Sequence, residues 1–177
     1  SSAATQTLLL HPLLLWTSDI YHLNLGISIL YLKCSILFEG TNTPLDCPAG
    51  WTWYNGRCFV FVKDLKRWIM AENTCLSMDG NLASMHSMDQ YNFIRELIYN
   101  ETGKHTSTWV GAHDSAQEGV WMWSDGSKFV FKVWGENEPN NIRGMEHCLQ
   151  INHNGIYYWR YTTSCAKKLP FICARPL

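Results

Sequence analysis

The sequence is short of what would pull it toward nucleic acid or through a bilayer. Lys plus Arg number 14 against 15 Asp plus Glu, a formal net charge of −1 at pH 7. Basic residues never run beyond a pair, as at Lys167-Lys168, so no clustered basic surface for nucleic acid is predicted. No apolar run approaches the roughly 20 residues that span a bilayer. Leu8–Leu15 is broken by His11 and Pro12, and Leu25–Phe38 contains Lys33. Catalytic signatures are missing too: there is no HExxH, no G-x-S-x-G and no phosphate loop. No C-x-x-C pair or Cys/His spacing suits structural zinc. His86, His105 and His113 also lack metal spacing and read as ordinary side chains. Internal repeats and low-complexity tracts are absent.

What is present is aromatic and cysteine-rich. Nine Trp occur in 177 residues, and each ring buries a large area. Of seven Cys, six lie between Cys47 and Cys173, while Cys34 stands outside. That pattern predicts disulfides and an oxidising compartment. Asn100-Glu101-Thr102 is an N-glycosylation sequon, in keeping with secretion. Cys34 reads as an odd thiol, for intermolecular pairing or for a membrane-proximal or processed segment.

Residues 1–46 read as an N-terminal extension: a signal or anchor remnant, or a disordered segment. Leu8–Leu15 has the length of a signal-peptide apolar region, and Gly40–Pro44 reads as a linker. The compact part is predicted over 47–177. Trp51–Tyr54 and Cys58–Val62 flank an Asn55-Gly56 turn, a hairpin signal. Asp64 is the predicted cap of a first helix burying Trp68, Ala71, Cys75 and Met78, with Gly80 as its left-handed terminator. Ser87 and Gln90 form a capping-box pattern for a second helix. Its stripe is Tyr91, Ile94, Leu97 and Ile98, and Gly103 closes it. Trp109–Ala112 reads as a core strand, and Trp121–Trp123 leads into a Ser124-Asp125-Gly126 turn. Trp134–Met145 has loop chemistry. His147–Ile151, Ile156–Tyr161 and Leu169–Cys173 read as closing strands. Segregated strands and helices predict an α+β domain.

Several pieces in this order resemble the C-type lectin-like domain: Cys47-Pro-x-Gly-Trp51, Cys75, Gly80–Ser84, Trp109-Val110-Gly111, Trp121-x-Trp123-Ser124-Asp125-Gly126, Glu138-Pro139-Asn140, Glu146-His147-Cys148 and Leu169–Cys173. The resemblance covers Cys47 to Cys173 and is closest to fish C-type lectins and type II antifreeze proteins. It implies two helices packed on small antiparallel sheets, a long loop region, and the pairs Cys47–Cys58, Cys75–Cys173 and Cys148–Cys165. Spacing alone leaves fifteen pairings open.

The resemblance also implies a site. In sugar-binding relatives a loop calcium coordinates two sugar hydroxyls, and the matching ligands here are Glu138, Asn140 and Glu146. A cis bond at Glu138-Pro139 would aim them at one ion. In the family Glu-Pro-Asn goes with mannose-type sugars and Gln-Pro-Asp with galactose. Two further ligands come from a Trp-Asn-Asp segment, and here that segment departs. It reads Trp159-Arg160-Tyr161-Thr162-Thr163-Ser164-Cys165, one residue longer. Neither alignment, Arg160-Tyr161 or Tyr161-Thr162, supplies the missing ligands, so calcium is expected to be weak or absent. Asn137, Asn141, Asn152 and Asn154 are candidates to compensate. Without calcium, Trp134, Arg143, Arg160 and Tyr161 are candidate anchors; Trp109, Trp121, Trp123 and Trp159 read as core.

Three functions compete. The first is a secreted, non-enzymatic lectin for mannose-type glycans. The second is an ice-binding protein, with Thr162 and Thr163 as candidate face. The third is a calcium-independent module for a protein ligand. Membrane contact is expected only if the N-terminal segment is an anchor.

Overall fold

The computed structural model describes residues 16–22, 28–34, 47–153 and 160–177. The readings at Leu8–Leu15, Gly40–Pro44, Asn154 and Ile156–Trp159 lie outside the described residues. The chain divides into two compact units, Ser1–Thr43 and Pro44–Leu177. In the first, β1 (Trp16–His22) pairs antiparallel with β2 (Ser28–Cys34).

The second unit is built on one mixed sheet. Its strands are β3 (Thr52–Tyr54), β4 (Arg57–Lys66), β5 (Asn81–Leu82), β6 (Thr108–His113), β7 (Met122–Trp123), β8 (Cys148–Ile151), β9 (Arg160–Thr163) and β10 (Leu169–Pro176). The main order is β3-β4-β10-β6-β8-β9. Most pairs are antiparallel, but β10 and β6 run parallel through Phe171 and Trp109. Helix α1 spans Trp68–Leu76 and α2 spans Met88–Thr102.

Period-two alternation explains how the two helices share this sheet. Along β10, Ile172 and Ala174 enter a core cluster with Phe59, Val110 and the α2 residues Tyr91, Ile94 and Ile98. Phe171 and Cys173 enter a second cluster with Trp109 and the α1 residues Trp68, Ala71 and Cys75. The central strands are therefore buried on both faces, one against each helix. Each core tryptophan of the second cluster also satisfies its ring N–H. Trp68 donates to the Val110 carbonyl at 2.8 Å and Trp109 to the Lys66 carbonyl at 2.9 Å.

Two helix boundaries differ from the sequence reading. Asp64 is not a cap; it lies inside β4, which continues to Lys66 because Leu169 of β10 pairs with it. Tertiary pairing wins over a local capping signal, and Arg67 sits at the N-cap with no side-chain bond. The left-handed residue after α1 is Asp79, at φ 58°, rather than Gly80. Gly80 is needed for close approach instead: a Cβ there would lie 2.6 Å from the Ala174 carbonyl oxygen. At α2, Ser87 accepts from the Gln90 amide at 3.1 Å, while the Gln90 side chain accepts from His86 N–H. Gly103 closes the helix at φ 71°.

The three disulfides are Cys47–Cys58, Cys75–Cys173 and Cys148–Cys165. A buried carboxylate supplements them. Glu72 of α1 is 6% exposed. It accepts from Asn81 Nδ2 at 2.6 Å, Leu82 N–H at 2.8 Å and the Ser124 hydroxyl at 3.0 Å. This ties α1 to β5 and to the turn after β7. Glu72→Ala strands the buried Leu82 N–H, and leaving one buried donor unsatisfied costs about 1–3 kcal/mol. The expected loss is about 2–3 kcal/mol, read as a lower denaturant midpoint with an unchanged slope.

A second polar cluster pins the same turn. The Ser84 and Ser127 hydroxyls donate to Asp125, and Arg57 approaches both Ser84 and Asp125. The His86 ring nitrogen Nε2 is 3.1 Å from the Ser84 oxygen. Ser84 is fully buried and turned to the carboxylate, so this is not a nucleophile–base–acid relay. Burial pushes the Asp125 carboxyl up, but the Ser127 and Ser84 hydrogen bonds and the Arg57 charge outweigh it, and the net value is lowered. A lowered carboxyl stabilises the fold above its unfolded pKa of about 3.9. That contribution is lost as pH falls through the folded value. Asp125→Asn is therefore expected to flatten the fall of stability below pH 4, measured by urea midpoints at pH 7 and pH 3.

Candidate functional site

The long loop leaves an aromatic cluster in which Trp134 packs on Trp121 and Phe129, with centroids 5.0 and 5.9 Å away. Trp134 thus packs against the core cluster rather than standing as an open anchor. Gly135 follows, where a Cβ would lie 2.9 Å from the Tyr161 ring and 3.2 Å from Glu138 Cγ. A side chain here would have to displace the Tyr161 ring for the loop to close on β9 at that distance. The Glu138 N–H then bonds the Gly135 carbonyl at 3.0 Å, and the Glu138-Pro139 bond is cis.

Past this turn the loop folds back on itself. Asn140 Nδ2 donates to Glu138 Oε1 at 2.7 Å. The Ile142 N–H lies 3.3 Å from Asn140 Oδ1 and 3.4 Å from Glu146 Oε2. Asn141 Oδ1 accepts from the Glu146 N–H at 2.9 Å. The side chains of Glu138, Asn140 and Glu146 therefore converge, at a half-exposed surface.

Their meeting point is Thr162, whose importance the sequence did not disclose. Its amide donates to Glu138 Oε2 at 3.0 Å and its hydroxyl to the same oxygen at 2.6 Å. The hydroxyl oxygen is also 3.3 Å from Glu146 Oε2. A hydroxyl has one hydrogen, and the shorter contact assigns it to Glu138. Two carboxylates thus flank one neutral side chain. Of the two alignments of the 159–165 segment, this geometry favours the one putting Tyr161 and Thr162 where the resemblance expects ligands. The Arg160 side chain lies outside the described residues.

Tyr161 packs beside the cluster, its ring 4.7 Å from that of His153. Burial lowers the His153 pKa and the Lys167 charge lowers it further, against the opposing pull of Glu138 and Glu146. Burial thus favours the neutral form of the imidazole behind the site. Among the other residues proposed to compensate, Asn137 is exposed and Asn152 is buried against Arg95, whose Nε donates to it at 2.8 Å. Asn141 does join the loop. Arg143 is exposed, in left-handed conformation at φ 58°. Thr162 and Thr163 are 4% and 8% exposed, so they form no open face for ice.

The facing groups offer only oxygen: two carboxylates, one amide and one hydroxyl. Calcium takes six to eight oxygens and is held more tightly as carboxylates are added. This set fits a weakly held calcium ion, with water or ligand hydroxyls completing the shell.

Comparison with known proteins agrees with the fold. The Lectin C-type domain profile matches residues 64–175. A protein named galactose-specific lectin nattectin, from Thalassophryne nattereri, is 38% identical over 151 residues, 84% of this chain and 94% of its own length. Ladderlectin of Oncorhynchus mykiss is 40% identical over 125 residues, 71% of this chain and 65% of its own. The solved structure of herring type II antifreeze protein superposes with a TM-score of 0.68 at 32% identity, covering 74% of this chain and 99% of that one.

Proposed function

We propose, from the premise that this chain belongs to the Lectin C-type domain family, that it is a secreted glycan-binding protein reading sugar hydroxyls at Glu138, Asn140 and Glu146. The observation that carries this is the convergence of two carboxylates and an amide on one half-exposed point. Carboxylates accept from sugar hydroxyls and the amide NH2 donates to them. Calcium bound by Glu138, Asn140 and Glu146, with Thr162 beside them, would add direct attraction for the hydroxyl oxygens. In this reading residues 47–177 are the binding domain and residues 1–46 a processed or anchoring extension. Asn100, exposed on α2, would carry the N-linked glycan of the secreted chain.

The Glu-Pro-Asn order supports a mannose-type ligand. A second reading, galactose, is favoured by the 38% identity to a protein named as galactose-specific. Retention of the full chain on mannose and galactose resins, each with millimolar calcium or with EDTA, separates them. Mannose retention released by EDTA, and weakened at least tenfold in Glu138→Gln, is the expected result. Galactose retention alone moves the reading to the second sugar. No retention on either resin removes the lectin proposal. A partner that stays bound after chelation and deglycosylation would replace it with the protein-binding reading, and measurable thermal hysteresis with ice binding.

A further inference from the structure

We propose that the groove between the C-terminal end of α2 and the start of β10 binds an acidic polysaccharide, a sugar chain bearing sulfate or carboxylate groups, without calcium. The groove is shallow, with a volume of about 780 Å³. Its apolar lining comes from Leu65 of β4, Tyr99 of α2, and Leu169 and Pro170 of β10, while Lys104 and Lys168 bring two ammonium groups to it. It shares no residue with Glu138, Asn140, Glu146 or Thr162, so failure of either proposal leaves the other standing.

Charge sets the first requirement on an occupant. Lys104 and Lys168 are exposed, and among the described residues neither is in an ion pair. Two lysines of the adjoining β4 are engaged instead: Lys63 pairs with Glu101 at 3.1 Å, and Lys66 donates to the Thr74 hydroxyl at 2.8 Å. The chain itself thus leaves the positive charge of the groove unmatched, although its formal net charge is −1. An anion in the groove supplies the match, through an attraction that salt screens.

The rest of the lining narrows the choice. Tyr99 is 45% exposed, and its ring centroid is 5.1 Å from that of His105. Burial lowers the His105 pKa and the Arg95 charge lowers it further, against the pull of Glu96. The neutral imidazole is therefore favoured, and the pair offers an aromatic face to an apolar surface. Thr106 and Ser107 also line the groove. Thr106 Oγ1 donates to Thr102 Oγ1 at 3.1 Å, and Ser107 Oγ to the Asn152 carbonyl at 3.2 Å. Each hydroxyl has spent its one hydrogen, and its oxygen remains an acceptor.

An occupant must therefore bring negative charge, an apolar face and donor hydrogens. An acidic sugar ring carries all three: anionic substituents, a C–H face and free hydroxyls. The shallow shape suits a chain lying along it better than a compact small molecule, which buries most of its surface in a cleft. Nucleic acid would bring the anions, but it calls for a wider basic surface than two lysines.

Titration calorimetry of the full chain with heparin and with polygalacturonate, both in EDTA, is the test. Heparin presents sulfate and polygalacturonate only carboxylate, so the two probes tell which anion is read. An Asn100→Gln background removes a glycan that would stand beside Tyr99. Saturable binding of at least one probe, falling with added salt, is the expected result. Lys104→Gln with Lys168→Gln should weaken it roughly tenfold or more at low salt. Tyr99→Ala should weaken it roughly threefold or more through loss of the ring face. Lys128→Gln with Lys132→Gln makes the same change in net charge at two other exposed lysines and should leave binding unchanged, as should Glu138→Gln. The proposal is overturned if neither probe binds in EDTA, or if the two lysine pairs weaken binding equally. It is equally overturned if duplex DNA or polyglutamate displaces the bound probe as well as free probe does, since the groove would then read charge alone.

Discussion

Replacing Thr162 by Asp is expected to tighten calcium binding by roughly 100-fold, about 2.7 kcal/mol, and to make folding depend on the ion. The wild-type side chain is a neutral donor between two carboxylates, 2.6 Å from one and 3.3 Å from the other. An Asp there removes the hydroxyl hydrogen and adds a third negative charge. Two unit charges 4 Å apart repel by roughly 4 kcal/mol at an effective dielectric of 20, less here because Glu138 and Glu146 are half-exposed. Without calcium the variant should therefore melt well below the parent. With calcium the repulsion becomes coordination, and calcium at 100 times its dissociation constant returns about 2.7 kcal/mol. Titration calorimetry and thermal melts with calcium or EDTA measure both halves. Thr162→Val is the control: it loses the hydroxyl without adding charge and should gain no affinity. If Thr162→Asp melts at the same temperature with and without calcium, the carboxylate pair is not a cation site.

Why Thr162 was read as an alternative alignment and an ice-face candidate, and not as part of the loop cluster with Glu138, Asn140 and Glu146, is a matter of period. The three loop residues are fixed in relation to a proline and a cysteine, and those anchors survive any local shift. Thr162 sits on a strand, where moving the alignment by one residue turns each side chain to the opposite face. The segment before Cys165 is one residue longer than the family pattern, so the sequence offered two registers with opposite faces toward the loop. Only the pairing of Leu149 with Thr162 chooses between them. Asp64 was misread for a related reason: its capping chemistry is local, but β10 extends the strand through it. Arg95 shows the limit of periodicity itself. It lies beside the predicted stripe of α2, yet it is buried and bonded to Asn152, 57 residues away. By contrast, the hairpin at Asn55-Gly56, the α2 stripe and the Trp109–Ala112 strand rest on local pattern and tertiary burial that agree.

Removing the Cys75–Cys173 link should cost more stability than removing either other disulfide. It joins residues 98 apart, against 11 for Cys47–Cys58 and 17 for Cys148–Cys165. In the chain-entropy account a closed loop near that length stabilises by about 4.7 kcal/mol, and the shorter loops by about 3 each. Both sulfurs lie fully buried in the cluster with Trp68, Leu82, Trp109 and Phe171, so the double Cys→Ala variant also loses packing there. A domain of this size is stable by only about 5–15 kcal/mol, which puts the variant near its unfolding threshold at 37 °C. The slope against denaturant should rise as well, because an uncrosslinked unfolded chain exposes more surface. The Cys148–Cys165 variant should divide its losses differently. That bridge joins β8 to the chain just past β9, the segments next to Glu146 and Thr162. It should lose a larger share of resin retention for a smaller loss of stability. Guanidinium midpoints and resin retention on a Cys34→Ser background compare the two variants directly. If the short bridge proves the greater loss in stability, the three disulfides do not act on the unfolded chain in proportion to the loops they close.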